Sequence, residues 1–101
     1  MFKGEKFRTI GVEANIPLEM QIFMWSAVEN MPEPKDCFQV FELKSENGLQ
    51  VIRHYSEQPV FNMTYILPTI ANPVSAKIYV IDDYYSDDDK HVATMLLAEE
   101  Y

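Results

Sequence analysis

One cysteine, Cys37, and two histidines, His54 and His91, are the side chains of this sequence best suited to nucleophilic or imidazole chemistry. A thiol–imidazole pair works only when the two groups touch and a third group orients the base. The spacing of these three residues sets up no such pair. Cys37 opens a run rich in Phe and Val, where a cysteine is expected to be a small buried apolar side chain. His54 alternates with Arg53 and Tyr55 and is expected to be a half-exposed strand residue. Gly4, Gly11 and Gly48 are isolated, so no glycine-rich loop is available to cradle a phosphate. No nucleophile elbow and no zinc-type pairing of Cys and His occurs. The expectation is a protein that is not an enzyme. The catalytic alternative is a small metal-dependent hydrolase or nuclease built on Asp82, Asp83 and His91.

The feature that stands out is acidic: Asp82-Asp83-Tyr84-Tyr85-Ser86-Asp87-Asp88-Asp89. A calcium loop needs oxygen ligands at alternate positions, a glycine in mid-loop and a terminal Glu. This stretch has no glycine, and its acids come in two blocks. A divalent-metal site is therefore the weaker reading, and no metal or cofactor is expected. The plainest alternative is a solvated connection. The sharper reading is a partner-binding surface made of Asp82, Asp83, Tyr84, Tyr85, Asp87, Asp88 and Asp89. Carboxylates attract a basic partner at long range, and tyrosines supply rigid area with a polar tip at contact. Such a mixture imitates a nucleic acid, with charges in place of phosphates and rings in place of bases. Glu99 and Glu100 at the end of the chain are expected to add to the same field.

Charge bounds the partner. Residues 1–81 hold nine acids and seven bases, whereas residues 82–101 hold seven acids and one base, out of a net −8. Direct binding to nucleic acid is not expected, because phosphate neutralisation needs clustered Lys and Arg. Anionic membrane surfaces are disfavoured for the same reason. A basic nucleic-acid-binding protein fits. The first residues, Met1 to Gly11, contain no apolar h-region, and no apolar run approaches the ~20 residues needed to cross a bilayer. A lone cysteine forms no internal disulfide. Cytoplasm is the expected address.

The elements that must position these residues follow from pattern. A chain of 101 residues is read as a single domain, 1–101. Phe7 to Glu13 reads as a short strand. Asn15-Ile16-Pro17 reads as a helix start, with Asn as cap and Pro in the first turn. That helix is expected to run to Asn30, before Met31-Pro32-Glu33-Pro34 stops it. Its first apolar stripe, Leu18, Ile22, Trp25 and Val28, is expected to pack on a sheet. A second stripe, Met20, Phe23, Met24, Ala27 and Met31, is either covered by loops or free for a partner. After the helix come strands. Cys37–Lys44 and Leu49–Tyr55 flank Asn47-Gly48, the strongest short hairpin signal. Val60–Leu67 alternates, and Pro68 and Pro73 bracket a loop. Ala76–Asp82 is apolar on both faces and hence central. An acidic loop, Asp83–Lys90, leads into Val92–Ala98. The fold class is α+β: one long helix packed on a mostly antiparallel sheet of five to six strands. The surplus apolar area of the helix and of the last strand makes a homodimer an open expectation.

Several blocks carry a resemblance. Gly11-Val12 through Ile16-Pro17-Leu18-Glu19-Met20-Gln21-Ile22-Phe23-Met24-Trp25, then Phe38-Gln39-Val40-Phe41-Glu42-Leu43, then Lys77-Ile78-Tyr79-Val80-Ile81-Asp82-Asp83, and the ending Thr94-Met95-Leu96-Leu97-Ala98-Glu99-Glu100-Tyr101 resemble family 960 of domains of unknown function. The resemblance spans nearly the whole chain, and it departs from the usual pattern in a longer, more acidic Tyr84–Asp89 stretch. It implies a fold and a setting, Firmicute plasmids and conjugative elements, and no established activity or active site. Small acidic proteins of mobile elements often block host defence. On that analogy the expected function is a non-enzymatic protein-binding module, with an anti-CRISPR inhibitor as its concrete form. Such an inhibitor would occupy the basic nucleic-acid channel of an RNA-guided nuclease. The alternative is a housekeeping interaction domain.

Overall fold

In the computed structural model, residues 1–67 and 72–101 are described. The loop expected between Pro68 and Pro73 lies largely outside them. The elements are β1 (Glu5–Arg8), α1 (Ile10–Asn15), α2 (Leu18–Glu29), β2 (Phe38–Glu46), β3 (Leu49–Glu57), β4 (Val60–Leu67), β5 (Ala76–Tyr85), β6 (Lys90–Leu97) and a 3-10 turn at Ala98–Glu100. The six strands form one mixed sheet in the order β1-β6-β5-β2-β3-β4. Every pairing is antiparallel except β1 with β6. The fold is α+β as expected, with β5 well inside the sheet.

The β2–β3 hairpin follows from two residues. Asn47 and Gly48 have φ of 52° and 78°, the left-handed pair that a two-residue turn needs to match strand twist. Glu46 pairs with Leu49 directly across it.

The helical part corrects the expected single helix from Asn15 to Asn30. Among the described residues there are two α-helices; of the strand expected over Phe7–Glu13, Phe7 and Arg8 do lie in β1, and α1 takes the rest from Ile10. The Thr9 hydroxyl accepts from the Val12 amide at 3.2 Å, capping α1. Asn15 ends α1 rather than capping α2, and its side-chain amide donates to the Gly11 carbonyl at 2.9 Å. Pro17 stands at the start of α2 with no side-chain cap. The junction is satisfied by Gln21, a buried amide whose Nε2 donates to the Ile16 carbonyl at 2.8 Å and whose Oε1 accepts from Arg8 at 2.9 Å.

The helix sets mainly the second stripe on the sheet. Met20 and Met24 are buried, with Phe23 and Ala27 packed beside them, and of the first stripe Val28 is buried as expected. Leu18 and Ile22 are each 59% exposed, and Trp25 is half-buried on the flank towards β1. Both stripes are apolar, so helix periodicity left the choice open. Lys6 and Arg8 on β1 accompany the observed choice, holding Glu29 and Gln21 to that side. Under α2 lie Phe41, Leu43, Ile52, Ile78, Val80, Ala93 and Met95, all buried on one face of the sheet.

Two more buried polar side chains close backbone ends. The Lys35 amine, 1% exposed as a side chain, donates to the carbonyls of Val28 and Glu29 at 2.8 and 3.0 Å. These are orphan carbonyls at the C-terminus of α2, where a cation is also favoured by the helix dipole. Gln50 exchanges two hydrogen bonds with the Val74 backbone, at 3.0 and 2.8 Å, and so ties that segment to β3.

Candidate functional site

The acidic stretch is half strand, not a loop. Asp82 to Tyr85 belong to β5, and Lys90 and His91 to β6. Tyr85 pairs with Lys90, Tyr84 with His91 and Asp83 with Val92. Only Ser86 to Asp89 make the turn, which ends on Asp89 at φ 47° with its amide donating to Ser86. Aspartate is a poor strand former, yet here the partner strand Lys90–Leu97 imposes the ladder. The last pair joining β5 to β2 is Phe38 with Ile81, followed by an Asp82 amide bond to the Cys37 carbonyl at 2.9 Å. Beyond it β6 is the sole strand neighbour of β5 among the described residues. On the far side, β1 begins at Glu5 opposite Val92. The outer end is thus a two-stranded ribbon.

Strand alternation divides the predicted site residues between two faces. Asp82, Tyr84 and His91 point to the side of α2, whereas Asp83, Tyr85 and Lys90 point to the open side. Asp82 is buried, with its carboxylate 1% exposed. Its Oδ2 accepts from His91 Nδ1 at 2.9 Å, and its Oδ1 has no partner among the described residues. It therefore does not belong to an accessible acidic surface. Asp83, Asp87, Asp88 and Asp89 are exposed, and Tyr84 and Tyr85 are 54% and 52% exposed. The Tyr84 hydroxyl donates to Asp89 Oδ1 at 2.6 Å. That bond to a carboxylate, with some desolvation, raises the phenol above its ordinary value.

Other predicted groups are not brought together. Asp83 faces away from Asp82 and His91, so those three do not converge on one ion. No group of three or more His, Cys, Asp or Glu that could hold a metal occurs among the described residues. The acidic ending does not reinforce the hairpin. Leu97 pairs with Ile78, at the opposite end of β6 from Lys90, about 23 Å away at ~3.3 Å per residue. That is well over the ~8 Å screening length. Glu100 instead accepts from the Thr9 hydroxyl and the Leu97 amide, and these bonds lower its pKa. A Cβ on Gly11 would come within 2.6 Å of that carboxylate, so a larger residue there would make the Glu100 side chain shift.

Cys37 is exposed rather than buried. His54 is fully buried rather than half-exposed, stacked on Phe41 with ring centroids 4.2 Å apart. Its Nε2 lies 2.7 Å from Gln39 Oε1, and burial lowers its pKa to about 4. Residues missed from sequence are those flanking the ribbon. Lys90 pairs with Glu5 at 3.0 Å. With Lys3 it lines an open depression of about 600 Å³ beside Asp88 and Asp89. These bases lie on the β1 flank. The signal for them was a lysine directly after three aspartates.

Among the described residues, no helix is long and apolar enough to cross a membrane. No curated protein matches the chain. A solved structure, "Crystal structure of the protein of unknown function from Enterococcus faecalis", superposes with a TM-score of 0.78 at 21% identity. It covers 97% of this chain and 91% of its own. At that identity the likeness shows the fold. A family profile described as a staphylococcal protein of unknown function matches residues 5–100.

Proposed function

The chain belongs to the DUF960 family, and from that premise we propose that it is a binding module that offers the β5–β6 hairpin to a basic partner. One observation carries the reading. The ribbon's outer end holds three exposed aspartates, Asp87, Asp88 and Asp89, and two half-exposed tyrosines, and among the described residues no third strand lies beside it. Successive tyrosines on a strand point to opposite faces, so a flat surface touches one of them. A cleft that closes around the ribbon touches both. The proposed partner is a basic nucleic-acid-binding protein with a groove. Its concrete form is an RNA-guided nuclease, whose positively charged channel is shaped for a negatively charged rod.

Charge and rings have separable effects. Exposed charges govern encounter rate and salt dependence, and buried aromatic area governs residence time. Capture from a Firmicute lysate, with wild type and with Asp87, Asp88 and Asp89 all changed to Asn, tests the reading. Wild type should retain a basic protein that the triple variant loses through a slower on-rate. Replacing Tyr84 and Tyr85 by Ala should raise the off-rate. The same partners on both baits would reduce the hairpin to a solvated turn. For the nuclease, cleavage is measured with the protein added before and after guide loading. No inhibition in either order would retire that partner.

A further inference from the structure

We infer that the β4 edge of the sheet is a self-association surface, on which a second copy of this chain adds its own β4 antiparallel and the two sheets become one. β4 is the outermost strand beyond β3, and nothing among the described residues pairs with its outer side. Its register with β3 is unbroken from Glu57–Val60 to Gln50–Leu67, so no bulge turns the edge away. Its sequence, Val-Phe-Asn-Met-Thr-Tyr-Ile-Leu, contains no charge and no proline. Those are the usual devices that keep an edge from pairing. Val60 and Ile66 are 85% and 58% exposed, and Met63 44%.

The inner side of this edge is also incomplete. α2 lies over the middle of the sheet, and between its flank and β4 runs a groove of about 300 Å³ lined by Phe23, Ala27, Met31, Phe61, Met63 and Tyr65. A neighbouring strand would place side chains along its mouth.

Two observations select a second copy over other occupants. The first is charge. The chain carries −8, and the acidic ribbon lies on β5 and β6, with β2 and β3 between it and β4. At ~4.8 Å per strand that is about 14 Å, beyond the screening length at physiological salt. Two copies therefore meet at β4 with little repulsion, and a basic segment finds no carboxylate on this strand to choose it. The second is complementarity. A two-fold axis normal to the sheet keeps its faces aligned, so paired residues share parity. With the axis at Met63, Phe61 opposes Tyr65, Val60 opposes Ile66 and Asn62 opposes Thr64, while Met63 meets its own copy. Aromatic faces aromatic, β-branched faces β-branched, and amide faces hydroxyl, the combinations that stabilise cross-strand pairs. The two grooves then lie side by side on one face, under both helices.

Sedimentation of the full chain at micromolar to submillimolar concentration tests this, at low and at high salt. A dimer is expected whose dissociation constant changes little with salt, because the charged ribbons of the two copies lie beyond the screening length from β4. Capture of a basic partner by the hairpin weakens with salt, so the two readings fail separately. Met63→Lys sets two ammonium groups at the axis and should raise the dissociation constant at least about tenfold. Ile22→Lys, in the exposed patch on top of α2, should leave it unchanged. Hydrogen exchange of wild type gives a second measure that needs no variant: β4 amides should gain protection with protein concentration. A monomer throughout, or a dimer lost with Ile22→Lys and kept with Met63→Lys, would overturn the inference.

Discussion

β1 and β4 are the two edges of one sheet, and they are built in opposite ways. β1 is four residues long and three of them are charged. Each charge is engaged: Glu5 with Lys90 at 3.0 Å, Lys6 with Glu29 at 2.8 Å, and Arg8 with Glu13 at 3.5 Å. The Lys6 amine also stands 5.9 Å from the Trp25 ring centroid. β4 is twice as long and carries no charge. Its anchors are the ladder to β3 and the edge-to-face contact of Tyr65 with Phe23, centroids 4.9 Å apart. Edge protection is thus a property of individual strands. A chain with a net charge of −8 still leaves one edge without any.

The largest effect should come where neither edge dominates. Met24 is fully buried under the centre of α2, and Met24→Ala should cost about 2–5 kcal/mol, the range for a buried large-to-small change. Trp25→Ala should cost less than the full ~3–5 kcal/mol typical of a buried aromatic, because Trp25 is only partly buried, on the β1 flank. Chemical denaturation of the two variants measures the ordering. A larger loss at Trp25 would shift the weight of the core towards β1.

Acid should act on the two sides in different windows. His54, opposite Met63 of β4, has its pKa lowered from 6.5 to about 4 by burial. The unfolded chain takes up a proton that the folded chain refuses. Stability is therefore full above 6.5 and falls as pH drops towards 4, by up to about 3 kcal/mol at ~1.4 kcal/mol per unit. His54→Phe should flatten that slope. On the β1 side Glu100 has its pKa lowered by bonds from Thr9 and Leu97. Its contribution is present above the ordinary carboxylate range and lost as pH falls through the lowered value. Melting temperature against pH, with Glu100→Gln beside His54→Phe, separates the windows. The smallest effect is expected from Lys6→Ala. Its ion pair is partly exposed, and such pairs contribute about 0–1 kcal/mol.

Much of the sheet was legible because local chemistry and tertiary pairing agree there. Asn47-Gly48 set the β2–β3 turn, the alternation of Val60–Leu67 set β4, and the apolar run Ile78–Ile81 placed β5 inside. Family membership was legible in the order of the matching blocks. Elsewhere, long-range contacts decide. α1 has β-branched residues that suit a strand, and it is held as a helix by Thr9, Gln21 and Glu100, the last two outside the segment. The acidic stretch reads as a loop from its aspartates alone. Once the turn is placed at Ser86–Asp89, the register puts Asp82 and His91 on one face, and the buried bond between them becomes readable. His54 reads as half-exposed from its polar neighbours Arg53 and Tyr55, but those belong to the opposite face of β3.

The burial of Lys35 gives the molecule a built-in reporter. Trypsin cleaves after lysine and arginine, and the other lysines are at least partly open to solvent. Cutting after Lys35 requires its amine to leave the carbonyls of Val28 and Glu29 first. The rate of that single cut, under conditions where reclosing is fast, then reads the equilibrium for loosening the end of α2.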